Sequence, residues 1–202
     1  MSSVNSDIAF TLFYAVYMGT FYAITIAFSV LSYILTGKSL SAIARRRGID
    51  KPWLAWVPVG NMWLLGCISD QYRYVTYGEQ TNRRTKLMWY DIAVLSDALL
   101  ILIIAVSMVV TEAMNMSEDV VIAMGMLMMI PYFVLIPLAV LVSILSYKCY
   151  SDLFRSCDPD KSLVYLLVSI FTSYPLPFFL YSCRNKDLGM PPRNEVSERS
   201  GE

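Results

Sequence analysis

The sequence predicts an all-α integral membrane protein: three full transmembrane helices plus two Pro-broken re-entrant or interfacial helical hairpins, with a parallel internal repeat at an offset of 110 residues. Three observations carry this. Of 202 residues 56% are hydrophobic and 16% charged, with a mean hydropathy of +0.52, more apolar surface than one soluble core hides. Three stretches, 8–35, 88–110 and 120–147, each exceed the roughly 20 residues that a helix needs to cross a ~30 Å hydrocarbon core. The sixteen Lys and Arg all fall on one side if the two hairpins turn back. Such a composition excludes a disulfide-stapled secreted scaffold, a nucleic-acid binder with a basic face and a disordered acidic tail.

The first span, 8–35, carries no charge. MSSVNSDIAF before and into it lacks the basic n-region of a secretory signal, and the apolar run is too long for a cleavable one, so it is expected to stay as an anchor. Ala15, Gly19, Ala23 and Ala27 recur every four residues and form a helix-packing face, to be met by another helix of this chain, by a second copy or by a different membrane protein. After the span, Leu40, Ile43 and Ala44 make one apolar helix face, with Arg45, Arg46 and Arg47 as a basic cluster expected to face lipid headgroups. The segment 53–68, WLAWVPVGNMWLLGCI, is short and broken at Pro58, Gly60 and Asn61. It reads as an interfacial hairpin held at headgroup level by Trp53, Trp56 and Trp63, or as a broken helix lining a cavity.

The second span, 88–110, contains two carboxylates. Asp91 lies near the boundary, within reach of snorkelling Lys86 or Arg84. Asp97 lies about 13 Å deep at 1.5 Å per residue, and no Lys or Arg within any span neutralises it. It must be protonated, hydrogen-bonded to polar groups such as Asn61, Ser96 or Ser107, or bound to a cation; these four residues are the candidate intramembrane polar site, a structural carboxyl being the bland alternative. The loop 111–119, TEAMNMSED, has three acids and no base. Six of twelve methionines lie in 114–129; Met114 and Met116 are a weak Cu(I) option, but soft apolar packing explains the cluster, and no other metal or cofactor is implied. The third span, 120–147, is uncharged and leads into a second amphipathic linker with Tyr150, Leu153, Phe154 and Cys157 on one face. Then comes 163–183, interrupted by Pro175 and Pro177, and a polar tail, 188–202, expected to be disordered.

With both broken segments returning, the inside regions 36–87 and 148–202 hold all sixteen cations, leaving the N-terminus outside and the C-terminus cytoplasmic. Five full crossings would divide the cations nine to seven. The same topology suits the repeat. Shifted by 110, VLSYILTGKSLSAIARRRGIDK (30–51) aligns without a gap on VLVSILSYKCYSDLFRSCDPDK (140–161), and nine of 22 positions are identical. The identities include Lys38 with Lys148, Ser41 with Ser151 and Arg45 with Arg155. A parallel repeat places both copies on one side of the membrane, inside a single membrane domain 1–187: repeat A 8–70, central span 88–110, repeat B 120–183.

At WLAWVPVGN (53–61), SDLFRS (151–156) and YPLPFF (174–179) the chain resembles a group of small bacterial polytopic membrane proteins of unknown function. ISDQYRY (68–74) and RNKDLGMPPR (184–193) resemble a subgroup in anaerobic Gram-positive bacteria. The resemblance covers most of the chain from Lys38 onward; it implies a membrane location and transfers no catalytic residue.

The sequence has no histidine, which removes the commonest metal ligand, the usual general base and the familiar nucleophile triads. Cys67, Cys149, Cys157 and Cys183 show no C-x-x-C spacing and read as reduced thiols. No phosphate-cradling glycine loop is present. These features predict a non-enzymatic assembly or accessory subunit of the bacterial cytoplasmic membrane, partnered by lipid and by a membrane protein or its own copy, with no nucleic acid. The second reading is a small transporter or ion-conducting oligomer using Asp97 and the break at Asn61; an intramembrane enzyme lacks paired acid and base groups.

Overall fold

An uninterrupted helix needs a run without proline, and the first proline of this chain is Pro52. Accordingly α1 spans Ser2–Arg46 and runs straight through the boundary at which the apolar stretch ends. The structure is a computed structural model and describes residues 2–114, 117–172 and 174–186, with side chains from Phe10 onward. Helix α1 stops at a glycine cap: Gly48 takes φ 64°, its N–H bonds Arg45 O at 3.3 Å, and Ile49 N–H bonds Ala44 O at 2.9 Å. Lys51, also left-handed at φ 61°, reverses the chain into a 3-10 helix, Pro52–Trp56. Trp56 returns against α1, where its ring lies 3.1 Å from the position a Cβ on Gly37 would occupy and its carbonyl accepts from Tyr33 Oη–H.

Helix α2 (Pro58–Tyr77) opens on proline, whose missing N–H costs nothing in a first turn, and ends at Gly78 with φ 70°. Helix α3 (Arg83–Ala113) and α4 (Glu118–Cys157) form a long antiparallel pair, with Arg83 beside Asp152 at one end and Thr111 Oγ1 3.8 Å from Met124 Sδ at the other. Pro131 and Pro137 sit inside α4. Helix α5 (Ser162–Phe171) climbs back along α4, with Tyr147 Oη–H donating to Ser169 O at 3.1 Å. Helix α6 (Leu176–Lys186) descends along α1: Phe28 packs against Tyr174 and Phe178 with ring centroids 5.2 and 6.4 Å apart, and the Arg46 guanidinium donates to Arg184 O.

The protein is all-helical over the described residues, and α1 from Phe10, α3 and α4 are long and apolar enough to cross a membrane, as the sequence predicts. The two broken segments behave differently. Gln71 Nε2–H bonds Arg47 O at 3.1 Å and the Lys186 ammonium pairs with the Asp158 carboxylate, so each excursion ends beside its starting point. At 10 and 11 residues, α5 and α6 are each about 15 Å long, half a hydrocarbon core.

The main hydrophobic core cluster lies at this end of the molecule. Leu40, Ile43 and Ala44 of α1, Leu64, Leu65 and Ile68 of α2, Leu87 of α3, Leu153 and Phe154 of α4, and Leu180 of α6 are all 0% exposed. Burying each large side chain is worth about 1.5–3 kcal/mol. Helix α2 packs on α3 and α4, whereas α6 packs chiefly on α1. That explains a departure from expectation. The apolar faces at Leu40–Ile43–Ala44 and Tyr150–Leu153–Phe154–Cys157 do not belong to separate surface helices; α1 and α4 continue as single helices and these faces are covered within the chain by α2 and α6.

Candidate functional site

The polar chemistry gathers around that core. Asp152, 6% exposed, accepts from Ser69 Oγ–H at 2.7 Å and from Arg83 Nη1–H at 2.7 Å, and the same Arg83 nitrogen lies 3.1 Å from Ser69 Oγ. One residue from each of α2, α3 and α4 thus meets in a buried ion pair. Removing one member of such a group leaves the other charge unpaired, which costs far more than the intact pair contributes.

Next to it, Asp70 of α2 caps α3 from outside that helix. Its Oδ1 accepts from Arg83 N–H at 3.0 Å and from Thr81 Oγ1–H at 2.6 Å, and its Oδ2 accepts from Arg84 N–H at 3.2 Å. A carboxylate here answers both the unpaired N–H groups and the positive end of the helix dipole. The approach is so close that a Cβ on Gly66 would lie 2.4 Å from Arg84 Cα, so only glycine fits where α2 crosses the start of α3.

Around this network the surface is basic. Arg73, Arg83, Lys148 and Arg155 line a cavity of 370 Å³ whose one acid is Asp152, while Lys38, Arg45, Arg46 and Arg184 line another, of 430 Å³, beside Trp56. Arg47 departs from the expected lipid-facing cluster. It is 6% exposed and donates to Ser156 Oγ at 2.6 Å, so it joins α1 to α4, while Arg45 and Arg46 stay exposed. Arg47 turns inward because it closes α1's last turn, on the same side as the packed Ile43 and Ala44.

All four cysteines are buried free thiols. Burial raises Cys67 to about 11 despite the neighbouring Arg84, and the adjoining Cys157 thiol together with burial holds Cys183 well above the ordinary thiol range. Neither supplies a nucleophile near neutral pH. The Lys186 ammonium holds the Asp158 carboxyl below its usual value and is itself raised by that pairing.

The residues of the candidate intramembrane site are not brought together. Ser96 and Ser107 donate to Ala93 O and Ile104 O of their own helix. Asn61 lies in α2 and Asp97 in α3, with no hydrogen bond between them. Asp97 Oδ2 and Asn61 Oδ1 are each buried with no hydrogen-bond partner among the described residues. The small-residue face of α1 is exposed throughout at Ala15, Gly19, Ala23 and Ala27, with nothing within 4 Å of a Cβ built on Gly19. Met114 is 70% exposed; Met116 and the tail 188–202 lie outside the described residues. No group of three or more Cys, Asp or Glu among the described residues is placed to hold a metal ion.

The sequence reading missed Asp152 and Asp70. Asp152 had a signal: at the repeat position where copy A has Ala42, copy B puts an acid among Tyr150, Leu153 and Phe154, which calls for a buried cation. Asp70 had none, since its partners are backbone N–H groups thirteen and fourteen residues on. Comparisons with protein-family models, with curated proteins and with solved structures give no match to this chain.

Proposed function

We propose that this chain is a non-enzymatic, multi-pass assembly subunit of the bacterial cytoplasmic membrane whose α1 span pairs with a helix of another polypeptide. One observation carries the reading. None of the most apolar stretch of α1 is buried; α1 meets α3 and α4 only in the shared core at its C-terminal end, through Leu40, Ile43 and Ala44, among the described residues. Without a hydrophobic force between helices in lipid, lateral pairing depends on close backbone approach, and Ala15, Gly19, Ala23 and Ala27 offer it along one open face. In this reading the excursions 47–71 and 158–186 enter the cytoplasmic interface and return. The Gln71–Arg47 and Lys186–Asp158 contacts support that topology, as does the gathering of the cations. The core then anchors the cytoplasmic end and leaves α1 free to recruit.

The test is association measured in membranes by energy transfer between labelled chains, or between the chain and a cross-linked co-purified protein. Replacing Gly19 and Ala23 with Leu is expected to reduce association severalfold while the helix content is unchanged. Association that survives both changes would overturn the proposal.

A second reading keeps Asp97 as an ion or proton site, because its buried Oδ2 lacks a partner. Proton or cation flux in vesicles that is unaltered by Asp97→Leu removes it.

A further inference from the structure

Of the nine identities between the repeat copies, Val30, Leu31, Ile34 and Leu35 with their counterparts are residues that any lipid-facing helix supplies. Lys38, Ser41 and Arg45, matched by Lys148, Ser151 and Arg155, are different. The four cations are exposed, so packing does not demand them, and the spacing i, i+3, i+7 puts each triad on one helix face. Each triad also lines a cavity. The first shares 430 Å³ with Trp56 and Arg184, and the second shares 370 Å³ with Arg73 and Arg83.

What is left uncommitted is the same in both. In the second cavity Arg83 is spent on Asp152 and Arg73 on Glu79, at 2.7 and 2.6 Å, while in the first Arg184 donates to Tyr181 Oη at 3.2 Å. Among the described residues Lys38, Arg45, Lys148 and Arg155 form no ion pair, and the hydroxyls of Ser41 and Ser151 make no hydrogen bond. Nearby helix serines are bound to their own backbone: Ser39 to Leu35 O and Ser156 to Leu153 O, both at 2.6 Å. Each set of ammonium, guanidinium and hydroxyl therefore presents two cationic donors and a hydroxyl that can donate beside them, on one helix face. Both lysines stand three residues beyond the paired Leu35 and Leu145, where an uncharged run ends and headgroup phosphates begin.

We propose that these are two repeat-related phosphate sites, each taking one phosphate group at the membrane surface between its Lys, Ser and Arg. A phosphate offers the negative charge and the several acceptor oxygens that an Arg fork, a Lys point charge and a hydroxyl satisfy together. The inference rests on the membrane location and not on the partner of α1.

Native mass spectrometry of the full chain, purified in neutral detergent and titrated with phosphatidylglycerol, tests it. The unmodified chain is expected to retain two phospholipids. Lys38→Gln with Arg45→Gln, and separately Lys148→Gln with Arg155→Gln, each retain one, with binding at the altered site weakened at least about tenfold. The control Lys51→Gln with Lys161→Gln removes the same charge at repeat positions that line neither cavity and keeps two. Helix content and elution volume establish that every variant is folded. Competition with inorganic phosphate and glycerol phosphate separates the sources: displacement assigns soluble phosphate and persistence assigns the lipid headgroup, both within the proposal. Equal loss in the control, two lipids retained by either double variant, or equal binding of a fatty-acid carboxylate overturns it.

Discussion

The two ends of this molecule are built on opposite terms. At the basic end α1, α2, α3, α4 and α6 share a buried core, stitched by Asp152–Arg83, Asp70 on the start of α3, and Arg47–Ser156. Along the apolar lengths almost nothing is buried: 0% of the most apolar stretch of α1 and 6% of those of α3 and α4. Water forces apolar faces together and lipid does not, so tertiary packing collects where the long apolar runs end, and the runs themselves remain open surfaces.

That contrast is broken most severely at the buried ion pair. Arg83→Leu leaves Asp152 unpaired beside Ser69 and is expected to cost about 3–5 kcal/mol, read as a large drop in thermal midpoint in detergent. Changing both, Arg83→Leu with Asp152→Leu, should recover much of the loss. Gly66→Ala comes next. Its Cβ would strike the α3 backbone, with an expected cost of about 1–3 kcal/mol, whereas Gly19→Ala, in open space, should leave thermal stability unchanged or slightly raised. Asp70→Ala removes the borrowed cap of α3 and should cost about 0.5–2 kcal/mol, with amide exchange rising first at residues 83–86. The smallest effect is at Asp158. Its folded carboxyl is lowered by Lys186, so the pair contributes above the ordinary carboxyl pKa and is lost as pH falls through the lower folded value. Acid titration of Asp158→Asn should show a slightly shallower loss of stability on the acid side than the parent.

The difference between the two ends also decides what the sequence could reveal. The spans were legible because lipid imposes one local requirement, an uncharged run of sufficient length, and 8–35 and 120–147 meet it without reference to the rest of the chain. The apolar faces at Leu40 and Leu153 were equally visible, but periodicity says only that a face must be covered. What covers it, α6 on α1 and α2 on α4, depends on contacts more than a hundred residues apart or on a helix crossing that Gly66 permits. Asp97 shows the opposite failure. Its cost in a span was evident, yet Ser96 and Ser107 turn to their own backbone and Asn61 Oδ1 and Asp97 Oδ2 each lack a partner among the described residues, so the predicted polar cluster does not assemble.

The separation of α1 from the α3–α4 pair is tested most directly by cross-linking on a cysteine-free background. Thr111→Cys with Met124→Cys should close within one chain, since these residues touch across α3 and α4. Gly19→Cys with Ile103→Cys should give no bridge within a chain, and Gly19→Cys alone should yield cross-links to a second polypeptide. An efficient intramolecular bridge between positions 19 and 103 would mean that α1 is already covered by its own chain, contradicting the open span on which the proposed assembly depends.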